Sequence, residues 1–294
     1  MALRANGVRV RKYLELVRFS HTLFALPFAL AAAFVALDGV PKVLDLGLIV
    51  LCMATARNAA MAFNRLVDYN YDLKNPRTAG RPLVQGVVSV RSVRIFIVIN
   101  SVLFVLAAWF LNSLAGVLAL PILFILLFYS YTKRITWWCH VYLGLAIGLS
   151  PVGAWVALQG SFHGFALWLG LGLALWIAGF DMIYALQDEA FDKAEGLNSW
   201  ITRFGADSGK LMAKFLHGLM WLVLVWLGVR YSMPLSWNVV LGVTLGLLVY
   251  IHWLRKTDSL DELNSGFFKA NVAISFMVLM GVIFSLMLEG WSLV

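Results

Sequence analysis

The sequence predicts an all-α integral membrane protein, with nine transmembrane helices around a central cavity and a cytoplasmic N-terminus. Of its 294 residues, 62% are hydrophobic and 13% are charged, about half the charged share of an ordinary soluble domain. The mean hydropathy is +0.85, which is typical of a membrane protein. Apolar runs of spanning length recur along the whole chain, so we expect residues 1–294 to form a single domain.

The apolar runs set the number of helices. Each run is close to the roughly 20 residues that cross the hydrocarbon core of a bilayer. They cover residues 19–37, 46–63, 93–111, 114–131, 141–158, 165–184, 211–229, 237–254 and 267–287. We read all nine as transmembrane helices.

The basic residues set the orientation. With nine spans, the N-terminus and the loops after the second, fourth, sixth and eighth spans share one side. All 23 Lys and Arg residues except Lys42 and Arg230 fall in or beside these segments. The positive-inside rule places this side in the cytoplasm. We therefore expect a multi-pass protein of the inner, cytoplasmic membrane, with its C-terminus outside.

The net charge of +8 does not indicate a nucleic-acid-binding protein. The basic residues lie in short loops between apolar runs, as topology signals do, and form no extended basic face. Cys52 and Cys139 lie in or beside apolar runs and show neither metal-ligand spacing nor a disulfide framework. We infer no obligate protein partner.

The first long cytoplasmic loop, residues 64–92, begins with acids at helical spacing. Three oxygen-bearing side chains lie four residues apart: Asn64, Asp68 and Asp72. On a helix this spacing places them on one face, where two carboxylates repel each other unless a cation lies between them, and a divalent ion is the usual one. Donors suited to phosphate oxygens follow: Lys74, Arg77 and Arg81. Together these groups predict a diphosphate site with Mg²⁺, whereas Arg65 and Lys74 are expected to be solvated or to face lipid phosphates.

The second long loop, residues 185–210, repeats this pattern. Tyr184, Asp188 and Asp192 are again four residues apart, and Asp181 lies seven residues before Asp188. Two acidic clusters at matched positions predict a pseudo-repeat that faces both clusters across one cavity. Asp181 lies deepest in its span, and acids at such depth generally have a partner.

This ordered set of motifs resembles the UbiA superfamily of intramembrane prenyltransferases over nearly the whole chain. The resemblance includes NPRTAGRPL (Asn75 to Leu83), Tyr129-x-x-x-Lys133-Arg134 and Tyr184-x-x-Gln187-Asp188. The opening LVRFSHTLFALPF (Leu16 to Phe28) looks most like the 4-hydroxybenzoate polyprenyltransferase branch, some members of which serve the futalosine route to menaquinone with a dihydroxynaphthoate acceptor. One position departs from the pattern: Ala194 stands where many relatives carry a basic residue, and Lys193 precedes it.

The resemblance implies transfer of a polyprenyl group from its diphosphate to an aromatic carboxylate, 4-hydroxybenzoate or 1,4-dihydroxy-6-naphthoate, in quinone synthesis. Mg²⁺ would be held by Asn64, Asp68, Asp72, Asp188 and Asp192. The diphosphate would meet Arg77, Arg81, Lys133, Arg134 and Lys193. Tyr129 and Tyr184 would stabilise the allylic cation, Asp181 is the candidate base, and Arg18 and His21 are candidates for holding the acceptor.

Two alternatives remain open from the sequence. A transporter also combines many spans, an internal repeat and membrane acids, but transporters tend to place charged sites near the midplane on interrupted helices. Here the acids lie at cytoplasmic helix ends beside long Arg-containing loops, which favours an enzyme. A transferase of the same fold acting on haem or on a glycerol lipid is the second alternative, because cavity shape sets the acceptor.

Overall fold

The computed structural model describes residues 12–17, 22–254 and 260–293. Every regular element in these ranges is helical, as predicted. The long helices are α1 (Thr22–Ala36), α2 (Val43–Val67), α3 (Val90–Leu111), α4 (Ser113–Ile135), α5 (Cys139–Gln159), α6 (Gly164–Ala185), α7 (Ala206–Arg230), α8 (Ser236–Leu254) and α9 (Leu260–Met287). Short helices at Tyr69–Lys74, Glu189–Ala194 and Trp200–Phe204 belong to the two polar loops.

Eight helices, α2 to α9, include a segment long and apolar enough to cross a membrane. This confirms the membrane character of the chain and eight of the nine predicted spans. The remaining helix, α1, is apolar and covers 15 residues. The predicted first span starts at residue 19, and residues 18–21 lie outside the described ranges. The first of the nine predicted spans therefore stays a prediction.

Polar residues and glycine separate the long helices where the chain turns. Asn112 lies between α3 and α4 and caps both helices. Its backbone N–H donates to Ala108 O at 3.1 Å, and its side-chain Oδ1 accepts from the backbone N–H of Leu114 at 2.8 Å. Gly160 ends α5 in a left-handed conformation with φ of +65°, which glycine adopts without steric cost. These local signals keep the connections short, so consecutive helices pack side by side.

Helix α6 lies at the centre of the bundle, with α5 on one side and α7 on the other. In its spanning segment 72% of the residues are buried, the highest share among the eight spans. Trp176 of α6 packs face to face with Phe28 of α1 and donates a hydrogen bond to Asn271 of α9 at 2.9 Å. Asp181 of α6 therefore lies on the most buried helix of the bundle.

Glycines allow α5 and α6 to approach closely. A Cβ atom on Gly144 would lie 2.2 Å from the backbone oxygen of Ala174, and one on Gly148 would lie 2.6 Å from that of Gly170. Neither distance is compatible with a side chain, so both glycines are required by the packing. The close approach brings the first turn of α5 against the last turn of α6, where the deep part of the candidate site lies.

Candidate active site

Both acidic motifs lie at a break between a long helix and a short one. Helix α2 ends at Val67 and the next short helix begins at Tyr69, with Asp68 between them at φ −85° and ψ 6°. After α6, a single 3-10 turn ends at Asp188, at φ −105° and ψ 3°. The shared face predicted from the spacing is kept by Asn64 and Asp68, whose side chains are hydrogen-bonded at 3.1 Å, but neither motif lies on one uninterrupted helix. Instead, the first aspartate of each motif adopts the same backbone conformation at the same kind of junction.

The two breaks meet at one end of a cavity of about 580 Å³. Nearly all of the polar residues predicted from the motifs line it: Asn64, Asp68, Asp72, Arg77, Arg81, Tyr129, Lys133, Asp181, Tyr184, Asp188 and Asp192. The opposite end is apolar and includes Ile49, Phe104 and Leu111. One cavity thus combines a charged end with a long apolar end, which matches the predicted meeting of the two motifs.

The cavity is offset within the bundle. Its lining comes from α1 to α6 and from the two polar loops, and no described residue of α7, α8 or α9 contributes to it. Those three helices instead pack against α6 and α1 in the main hydrophobic core. The sequence predicted a cavity surrounded by all nine helices. Among the described residues, only α1 to α6 and loops that follow them line the cavity.

The carboxylate of Asp68 is buried and surrounded by donors. Lys133 lies 3.1 Å from Oδ2 and Arg134 lies 2.8 Å from Oδ1. The amide nitrogen of Asn64 donates to Oδ2 at 3.1 Å, while its oxygen accepts from Arg65 at 3.0 Å. Asn64, predicted as a metal ligand, therefore turns its nitrogen to Asp68 and its oxygen to Arg65. Arg65, expected to be solvated, is 6% exposed and lines the cavity.

Arg77 joins the first motif loop to the second. Its Nε donates to Oδ1 of Asp188 at 2.7 Å, and its Nη2 donates to Oδ2. Asn75 adds a hydrogen bond to Asp188 Oδ1 at 3.1 Å. Burial opposes the charge on Arg77, but the hydrogen bond to Asp188 and the nearby carboxylates outweigh it and raise the pKa of the guanidinium. Arg81 forms a further ion pair, with the buried carboxylate of Asp72.

Two predicted phosphate ligands lie outside the cavity lining. Lys193 is about half exposed and pairs with Glu189 at 2.7 Å, which follows from their i, i+4 spacing on the short helix. Arg134 donates to the carbonyl of Ser130 at 2.6 Å as well as to Asp68. Arg134 therefore braces Asp68, and the structure gives Lys193 no contact with the site. Lys74, which was expected to be solvated, pairs with Glu195 of the second loop at 2.7 Å.

Asp181 has a partner that the sequence did not reveal. Its Oδ2 lies 2.7 Å from Nδ1 of His140, in the first turn of α5. Both residues line the cavity. The depth of Asp181 in its span predicted that some partner exists, but a single histidine 41 positions away in an apolar run carries no pattern that identifies it. The close packing of α5 on α6 creates the contact.

The predicted acceptor ligands, Arg18 and His21, lie outside the described residues. The structure therefore leaves that part of the prediction as it stands. The two tyrosines predicted to stabilise a cation both line the cavity, and the ring of Tyr184 stacks on Phe180 with centroids 5.6 Å apart.

The oxygen donors of the charged end suit a hard divalent cation. Mg²⁺ prefers carboxylates supplemented by phosphate oxygens and water, and four aspartates of the two motifs reach this end. Within the described residues, no three His, Cys, Asp or Glu side chains are close enough to hold an ion by themselves. Asp68, Asp72 and Asp188 pair with Lys or Arg instead. The donor set fits Mg²⁺, whose coordination would be completed by phosphate oxygens or water.

Known proteins share this architecture. A model of the UbiA prenyltransferase family matches residues 25–289. A 4-hydroxybenzoate octaprenyltransferase of Pseudomonas aeruginosa is 32% identical over 221 residues, which are 75% of this chain and 74% of that protein. The structure of a UbiA homologue from Aeropyrum pernix K1 superposes with a TM-score of 0.81 at 28% identity, covering 90% of this chain and 98% of that one.

A second solved structure, a UbiA homologue from Archaeoglobus fulgidus bound to DMAPP and Mg²⁺, shares the fold. Its TM-score is 0.72 at 19% identity, covering 92% of this chain and 99% of that one. The family match extends from α1 into the residues after α9 and includes both helix breaks. The chain therefore belongs to the UbiA prenyltransferase family.

Proposed function

We propose that this protein transfers a polyprenyl group from polyprenyl diphosphate to an aromatic carboxylate of the 4-hydroxybenzoate type, with Mg²⁺, in ubiquinone or menaquinone synthesis. One observation carries the proposal: two aspartate-containing helix breaks, each paired with basic residues, share the charged end of a cavity whose opposite end is apolar. A diphosphate with a hydrocarbon tail has the same division into a charged end and an apolar end.

The charged end supplies the groups that a leaving diphosphate needs. Arg77, Arg81 and Lys133 line it, and each already pairs with a carboxylate. Arginine suits phosphate oxygens because its planar fork donates two parallel hydrogen bonds. On binding, a diphosphate would exchange some of these ion pairs for contacts with its own oxygens. The basic residues would then stabilise the negative charge that develops as the C–O bond breaks.

Four aspartates would hold Mg²⁺ together with the diphosphate: Asp68, Asp72, Asp188 and Asp192. The structural neighbour from Archaeoglobus fulgidus is described as bound to DMAPP and Mg²⁺. The ion would neutralise charge on the leaving group. The chain's own contribution is to hold the two breaks together, which Arg77 does by pairing with Asp188 across the loops.

The apolar end suits a hydrocarbon chain. It is lined by small and branched side chains of α2 to α5, among them Ile49, Ala115 and Val156. Burying each methylene of a polyprenyl tail there gains about 0.8 kcal/mol relative to water. The same apolar lining excludes water from the allylic cation, whose charge the ring faces of Tyr129 and Tyr184 would stabilise.

The acceptor is inferred from the relatives. Proteins matching three quarters of the chain are named 4-hydroxybenzoate octaprenyltransferase, and 1,4-dihydroxy-6-naphthoate is the alternative acceptor of the same chemistry. The family assignment favours the enzyme over a transporter. Because the basic loops carry the site, the positive-inside rule supports an active site that faces the cytoplasm from the inner membrane.

An assay on the purified protein in detergent tests the proposal. It offers a long polyprenyl diphosphate with Mg²⁺ and each acceptor in parallel, with EDTA controls, and products are identified by mass spectrometry. We expect a prenylated acceptor that is absent with EDTA, and the accepted substrate identifies the pathway. If the diphosphate binds but neither acceptor is prenylated, the protein uses another class of acceptor. The absence of any diphosphate binding would overturn the proposal and favour the transporter.

A further inference from the structure

A histidine and an aspartate face each other in the cavity wall, deeper in the bundle than the two helix breaks. Nδ1 of His140 lies 2.7 Å from Oδ2 of Asp181. Asp181 precedes Asp188 by seven residues, which corresponds to about 10 Å along a helical backbone. Both side chains line the cavity. The pair therefore lies between the charged end and the apolar end, where the reacting carbon of a bound prenyl diphosphate would meet an acceptor.

The second ring nitrogen of His140 is not used by any hydrogen bond within the described residues. His140 is 4% exposed, and its buried Nε2 has no hydrogen-bond partner among the described residues. An unsatisfied buried polar atom costs about 1–3 kcal/mol, which a bound ligand can recover. The hydroxyls of Ser130 and Ser150, which also line the cavity, are buried in the same condition. A polar molecule bound beside His140 would complete the hydrogen bonding of Nε2.

The contact with Asp181 determines what Nε2 can do. An ionised carboxylate only accepts hydrogen bonds, so the proton of the neutral imidazole is inferred to lie on Nδ1. That tautomer leaves a lone pair on Nε2. The carboxylate also stabilises the imidazolium that forms when Nε2 takes up a proton, which is the role of the aspartate in Ser-His-Asp triads.

We propose that His140 is the base that accepts the proton released when the acceptor ring is alkylated, and that Asp181 is the positioning residue that orients it. This inference rests on the proposed prenyl transfer. The C–O bond of the prenyl diphosphate breaks and its electron pair leaves with the diphosphate. A π electron pair of the acceptor ring forms the new C–C bond. The C–H electron pair at the alkylated carbon then returns to the ring, and its proton goes to Nε2 of His140.

The test compares substitutions that remove the base with one that does not touch the cavity. His140→Gln keeps a polar side chain but cannot take the proton, so formation of prenylated acceptor should fall about 100-fold or more. The Kd of polyprenyl diphosphate with Mg²⁺ should stay within about twofold, because the diphosphate contacts are elsewhere. His217→Gln is the matched control: His217 is buried and hydrogen-bonded to Trp176 O at 3.3 Å, outside the cavity lining, and turnover should be retained.

Two readouts separate a base from a structural residue. An acceptor deuterated at the alkylated carbon should show a larger isotope effect in His140→Gln than in wild type, because proton removal becomes rate-limiting. Added imidazole should restore turnover to His140→Ala, whose missing ring leaves space beside the cavity. Unchanged turnover in His140→Gln would overturn the proposal. So would a loss that shows neither a larger isotope effect nor imidazole rescue.

The positioning role of Asp181 is tested by a second pair of variants. These variants also test the proposal if the His140 variants do not fold. Asp181→Asn removes the charge that stabilises the imidazolium and should lower turnover about as much as His140→Gln. Asp181→Glu keeps that charge and should recover part of it. Equal turnover in both Asp181 variants would contradict the proposal. If wild type binds diphosphate and prenylates neither acceptor, the proposed acceptor class is wrong instead, and that is seen before any variant is compared.

Discussion

Arg77 and Asp188, which are 111 residues apart, form a two-point ion pair that joins the two polar loops. One of its hydrogen bonds, from Nε to Oδ1, measures 2.7 Å. Asp188 is the residue at which the second acidic motif breaks, and Arg77 follows the short helix Tyr69–Lys74 that begins after the first break. The pair therefore fixes the separation of the two acidic motifs, which is the quantity that a bridging diphosphate and its metal ions would require.

Replacing Arg77 by Lys should weaken binding of the prenyl diphosphate. Lysine keeps the charge but loses the planar fork that holds both oxygens of Asp188. We expect the KM for polyprenyl diphosphate to rise about tenfold, measured by steady-state assay in detergent. Lys74→Gln is the control, because the Lys74–Glu195 pair also crosses the loops but its lysine is 61% exposed, and exposed pairs contribute about 0–1 kcal/mol. Equal effects of the two substitutions on KM would contradict a specific role of the Arg77–Asp188 pair in diphosphate binding.

Neutralising the first aspartate of either motif should abolish turnover. Asp68→Asn and Asp188→Asn each remove a carboxylate proposed to hold Mg²⁺, and a loss of several kcal/mol corresponds to more than about 100-fold in rate. Both proteins should remain monodisperse in detergent. Asp207→Asn serves as the control, since the Asp207 side chain is 96% exposed. Normal turnover in both motif variants would contradict the two-motif site.

Removing divalent cations should stop prenyl transfer. With EDTA we expect no detectable prenylated product, and excess Mg²⁺ should restore the original rate. The ion should be easy to remove, because the described residues do not place three carboxylates around one ion without phosphate oxygens. Titrating Mg²⁺ with and without polyprenyl diphosphate gives the measurement. Tight Mg²⁺ binding in the absence of the diphosphate would contradict this account of the site.

Adding a methyl group at Gly148 should destabilise the bundle and the site together. The new Cβ would lie 2.6 Å from the backbone oxygen of Gly170, so α5 must move away from α6, and overpacking of this kind costs about 1–3 kcal/mol. Gly148→Ala should lower both the thermal unfolding temperature in detergent and the turnover, because the same interface holds His140 against Asp181.

Gly218→Ala is the matched control for that substitution. Gly218 lies within α7, and a Cβ atom added there would have nothing within 4 Å, so the change should be neutral or stabilising by up to about 1 kcal/mol. If both glycine variants behave alike, the close approach of α5 and α6 is not what the fold depends on.

Much of the candidate site could be predicted because short-range chemistry determines it. The spacing of Asp68, Asp72, Asp188 and Asp192 identified the two acidic motifs, and the structure places all four at one cavity. The depth of Asp181 predicted that it has a partner. The prediction that Arg65 is solvated failed, and Lys193 lies outside the cavity lining, because whether a basic side chain turns toward solvent or the cavity depends on neighbours that are distant in sequence.

The sequence by itself determined the helical class, eight of the spans and the acidic motifs, because hydropathy and residue spacing are properties of continuous stretches of chain. Only the tertiary structure decided that both motifs break at their first aspartate, that Arg77 pairs with Asp188, and that His140 pairs with Asp181. Each of these depends on how α2, α5 and α6 pack. The backbone contacts at Gly144 and Gly148 set the packing of α5 on α6, and no local pattern specifies which helix face the glycines will meet.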